Sequence, residues 1–119
     1  MVVIKKRSNV IPVDFGEFQL EFAANDKNIL NMEAVGKKLQ EEGKRVSEIG
    51  DEKAFEALHD MVKASWVDLF DEEAYEKVYA FSEETTTDAM AYLLEAISGV
   101  VKEWTQRNNG DALKKYLGD

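Results

Sequence analysis

Glu56 and His59 are the two residues whose types and spacing come closest to a known chemistry. Three apart on a helix they share a face, and Glu-x-x-His is the half-site of di-iron and di-manganese carboxylate bundles. A complete site takes two such motifs and two further glutamates. This chain has one histidine, so a full site would have to be shared by two copies in a symmetric dimer. Phe55, Val62 and Trp66 neighbour His59 at helical spacing, which marks it as a histidine on the border of an apolar face. The other candidates are weaker still. The 24 acidic residues form many carboxylate pairs, none set apart from the rest as a general acid and base. Ser8, Ser47, Ser65, Ser82 and Ser98 lie outside any Gly-x-Ser-x-Gly elbow. The glycines form no phosphate-binding loop. The acidic stretch Asp68 to Glu73 lacks the alternating oxygen ligands and central glycine of a calcium loop. With no cysteine, thiolate metal sites, disulfides and thiol nucleophiles are excluded. The residues therefore support no enzyme, no cofactor and no metal, and the chain is expected to act by binding other proteins.

Charge narrows the partner. Fifteen basic residues against 24 acidic ones give a formal net charge of −9. Nucleic-acid binding draws on counterion release at a basic face, and anionic membranes ask for the same, so neither is expected as a partner. The opening Met-Val-Val-Ile-Lys-Lys-Arg lacks the apolar core of a signal peptide, and no apolar run reaches the length of a membrane span. A cytoplasmic protein is the expectation.

The elements that would carry such a binding surface follow from periodicity. A chain of 119 residues fits one domain over 1–119, large enough to hold together on one apolar core. Phe18, Leu20 and Phe22 alternate with Glu17, Gln19 and Glu21, the pattern of a half-buried strand. Val10, Ile11 and Val13 supply its partner, with a turn at Asp14 to Gly16, and Pro12 restricts that first strand to a sheet edge. Residues 1–8 read as an extra strand or an arm. Asn25 or Asp26 caps a helix in which Ile29, Met32, Val35, Leu39, Val46 and Ile49 form one narrow stripe, closer to a coiled-coil seam than to a broad core face. Gly36 and Gly43 lie beside it, seven apart, and suggest close packing or a bend. Gly50 ends this helix and Asp51 caps the next, whose wider face holds Phe55, Leu58, Met61, Val62, Trp66, Leu69 and Phe70. An acidic break precedes a short piece through Ala74, Val78 and Tyr79. Thr85 and Asp88 match a capping box before a long helix through Met90, Leu93, Leu94, Ile97, Val100, Val101 and Trp104, ending near Arg107. Residues 109–119 read as a short helix or a partly ordered tail.

The expected fold is mainly α (α+β), about four helices with an N-terminal β-hairpin. Its expected core is Phe18, Leu20, Phe22, Phe55, Leu58, Val62, Trp66, Leu69, Leu93, Leu94, Ile97 and Val101. The thin first stripe, too narrow for a core face alone, marks Ile29, Met32, Val35, Leu39, Val46 and Ile49 as a partner-binding face. Phe70, Tyr75 and Tyr79 join it as aromatic anchors. Self-association through the first helix or the hairpin edge fits the same pattern.

The order of these features resembles a known family. A strand of the form Phe15-x-x-Phe18-x-Leu20-x-Phe22 precedes a Lys/Glu-rich helix. A core helix then ends in Asp68-Leu69-Phe70, and an acidic turn leads to Ala74-Tyr75-Glu76-Lys77-Val78-Tyr79 before a last amphipathic helix. This looks like the tail assembly chaperones of long-tailed bacteriophages and related prophages of Gram-positive bacteria, over about residues 15 to 106. That family tends to have glycines where Asp71 and Glu73 stand here. The resemblance implies a non-catalytic assembly factor that binds the tape-measure protein and the tail-tube subunits while the tail forms. A competing expectation is an acidic helical regulator that occupies a basic partner surface, whose binding would weaken steeply with salt.

Overall fold

The computed structural model describes residues 1–109 and 117. It contains a hairpin of β1 (Val10–Asp14) and β2 (Gln19–Ala23), then α1 (Asp26–Ile49), α2 (Glu52–Leu69), α3 (Glu72–Phe81) and α4 (Thr86–Arg107). The fold is thus mainly helical with an N-terminal antiparallel hairpin, as the periodicities predict. Residues 1–8 form no strand with the hairpin. The short helix or tail expected at 109–119 falls almost wholly outside the described residues.

In the hairpin Ile11 faces Phe22 and Val13 faces Leu20. The period of two then puts Ile11, Leu20 and Phe22 on the buried face. Ala24 N–H donates to the Asn9 carbonyl and Phe15 N–H to the Phe18 carbonyl. Ladder bonds recur every second residue, so Pro12 falls between them and its missing N–H costs the pair nothing. The turn is held by Asp14 Oδ1, which accepts from Gly16 N–H at 2.8 Å, and Gly16 takes the φ of 85° that the turn requires.

Three helices start on side-chain caps. Asn25 Oδ1 accepts from Asn28 N–H, Asp51 Oδ1 from Ala54 N–H and Asp71 Oδ1 from Ala74 N–H, at 2.8, 2.7 and 2.7 Å. Asp71 has an extended backbone, φ −169°, so the position where the resembled family tends to have glycine needs none here. The capping box at Thr85 is not formed. Glu83 and Glu84 both take left-handed φ values, 54° and 58°, and Glu84 N–H closes the end of α3 on the Tyr79 carbonyl at 2.9 Å. This double left-handed turn leaves the Thr85 hydroxyl donating back to the Glu83 carbonyl instead of accepting from α4.

The core runs through all six elements and centres on Trp66, whose indole N–H donates to the Ala89 carbonyl of α4 at 3.0 Å. Two expectations about it are corrected. On α2 the buried series is Ala54, Leu58, Val62, Ser65, Trp66 and Leu69. Phe55 stands one residue, about 100° of helix, off that face and is 47% exposed. Phe18, Leu94 and Val101 pack against the core from its rim and are only partly buried.

Candidate partner-binding groove

The stripe on α1 does not face outward. Ile29, Met32, Leu39 and Val46 are buried within this chain, Val35 is half-buried against the same core, and only Ile49 is exposed. The narrowness has an internal cause. A Cβ on Gly36 would lie 3.4 Å from Ile97, and one on Gly43 would lie 3.4 Å from Met90. Both pairs are seven residues apart, in opposite directions, so α1 and α4 run antiparallel. Ile97 and Met90 of α4 pack over the two glycines. Apolar surface missing from α1 is thus supplied across the seam, and the inference that α1 needs an outside partner fails. Phe70 is half-buried between Phe22 and Trp66, with ring centroids 5.7 and 5.4 Å away. Tyr75 is buried and stacks on half-buried Tyr79 at 5.5 Å. None of the three stands out as a free anchor.

His59 sits at the border of the core, as its spacing predicts. Its Nδ1 is 2.7 Å from the buried Thr86 hydroxyl, and its ring meets Tyr79 edge-on at 5.7 Å. It serves to join α2, α3 and the start of α4. Among the described residues, no three acidic or histidine side chains converge on a possible metal position. No described helix is long and apolar enough to cross a membrane.

What the described residues leave open is a groove between α4 and the edge of β1 that no other described strand pairs with, with a volume of about 470 Å³. Ile11, Val13 and Phe15 line one wall, and Tyr92, Ala96, Gly99 and Val100 line the other. One end is closed by aromatics. Phe15 stacks on Phe18 at 4.7 Å and meets Phe81 edge-on at 5.4 Å, while Phe81 meets Tyr92 at 5.3 Å. Phe15 lies in the hairpin turn, between Asp14 and Gly16, whose Oδ1 and N–H are bonded at 2.8 Å. Carboxylates of Asp14, Glu95 and Glu103 stand at the rim, Glu103 being bonded to Arg107 at 3.0 Å. The α4 wall is shallow because Ala96 and Gly99 are small, and a Cβ at Gly99 would meet nothing within 4 Å.

The groove was not among the expected sites. Its one sequence signal is the run Tyr92, Ala96, Gly99, Glu103 along a single face of α4, where small residues interrupt an otherwise apolar helix. Such an apolar trough with an acidic rim can hold aliphatic side chains and pair with cations beside them. The chain matches no family model, no curated protein and no solved structure.

Proposed function

We propose that this protein is a non-catalytic assembly chaperone of the phage-tail kind. It would bind the tape-measure protein and tail-tube subunits in the bacterial cytoplasm while the tail is built. The observation that carries the reading is the β1–α4 groove, an apolar trough open to solvent and edged by carboxylates. A tape-measure protein is long, helical and apolar on faces that the tube later covers. A highly acidic partner that seats its aliphatic side chains keeps it dispersed, because like-charged complexes repel. Repeated binding along a filament lets each contact be weak. The order of elements from Phe15 onward, resembling the tail assembly chaperones, supplies the particular partner.

The test is co-expression with a candidate tape-measure protein. Soluble tape-measure protein should rise several-fold, and Gly99→Leu, which fills the groove, should remove the gain. If solubility is unchanged by the wild-type chain, the reading fails.

A further inference from the structure

The residues before β1 form the longest run of exposed apolar side chains in the described molecule. Val2, Val3 and Ile4 are 87%, 68% and 90% exposed, whereas the other exposed apolar residues of the described chain are isolated or lie next to this run. Patches of this kind are seldom left bare. The run is followed at once by Lys5 and Lys6. Aliphatic side chains and then cations match the apolar floor of the groove and the Asp14 and Glu95 carboxylates at its rim.

The segment does not fill the groove of its own molecule. None of residues 1–9 lines it, and no turn or bend interrupts them. Asn9 is already paired with Ala24, and Ser8 Oγ lies 3.4 Å from Val10 N–H, which fixes how the segment enters β1. We infer that the groove of one molecule is occupied by residues Val2 to Lys6 of a second copy, as a displaceable plug. Two such exchanges, each copy lending its segment to the other, close a symmetric dimer. The binding is through side chains and not through an added strand. Pro12 has no N–H to offer on the free edge of β1, so a continuous ladder cannot form there. That keeps the plug weak enough to leave when a tape-measure helix arrives. The inference rests on the proposed reading of the groove only for this last step.

The chain has no cysteine, so a single introduced thiol labels one site. Ile4→Cys carrying a nitroxide is mixed with unlabelled-spin, ¹⁵N-enriched wild-type protein. Amide signals of Tyr92, Ala96, Gly99 and Val100 should broaden in the mixture, while those of Ala64 and Val67 on the far side of α2 stay sharp. Gly99→Leu in the ¹⁵N partner should restore the groove signals, and sedimentation should show a mass near 13.5 kDa for that variant against concentration-dependent dimer for wild type. Absence of broadening in the mixture overturns the inference. So does broadening seen only when nitroxide and ¹⁵N are in the same molecule, which would mean that each segment folds onto its own groove. These measurements use the purified chain alone. A failed plug therefore leaves the co-expression result standing, and a failed co-expression leaves the dimer standing.

Discussion

Gly36 of α1 lies against Ile97 of α4 with room for one methyl group: a Cβ there would be 3.4 Å from both Cδ1 and Cγ2 of Ile97. Gly36→Ala should therefore be neutral or raise stability by up to about 1 kcal/mol, the helix-propensity difference. Gly36→Leu should lower it by about 1–3 kcal/mol through overpacking. Gly43→Ala should gain more than Gly36→Ala, because it meets the flexible end of Met90. Urea denaturation of the three variants gives the order.

Helix caps supply a second comparison. Asp51→Ala and Asp71→Ala each remove a side-chain acceptor at 2.7 Å and should cost about 1 kcal/mol. Thr85 makes no such bond, and Thr85→Ala should cost a few tenths at most, by the cap scale. Equal losses at all three positions would mean that the capping box forms after all.

The paired left-handed residues between α3 and α4 predict a gain. Left-handed φ costs a residue with a Cβ roughly 1–2 kcal/mol, part of which glycine returns as unfolded-state entropy. Glu84→Gly, at φ 58°, should raise stability by up to about 1 kcal/mol, and Glu84→Ala should leave it nearly unchanged. Thermal unfolding monitored by circular dichroism distinguishes the two.

Tyr75 predicts a response to alkali. Burial, with Tyr79 and Asp60 nearby, holds its hydroxyl above the ordinary value of 10.0. A raised folded value means that the contribution is fully present below the unfolded pKa and is lost as pH rises through the folded one. Stability should fall above about pH 10, and Tyr75→Phe should fall less over the same range. Denaturation midpoints at pH 9 and pH 11 make the comparison, and parallel curves would show that Tyr75 ionises without strain.

Elements were legible where one segment carried the whole pattern. The alternation from Glu17 to Phe22 and the stripes on α2 and α4 each announce themselves within a dozen residues. Burial was less legible wherever the covering surface came from elsewhere. The α1 stripe looked too thin because the residues that complete it, Met90 and Ile97, lie far along the chain on α4. Phe55 looked like core because a wide apolar face hides which edge of it is exposed. The groove was hidden for the same reason. Phe15, Phe81 and Tyr92 come from a hairpin turn and two helices, and only the Glu83–Glu84 turn, which no propensity announces, brings the last two together.

The hairpin also has a place in time. β1 leaves the ribosome before every other described element, yet the helix it packs on, α4, is the last of those described. At about 5–20 residues per second, several seconds separate the two. Throughout that interval Ile11 of β1 lacks the α4 face it closes on, while Phe22 can already meet Phe70 at the end of α2. The nascent chain therefore carries the apolar face of β1 uncovered until the last described helix emerges.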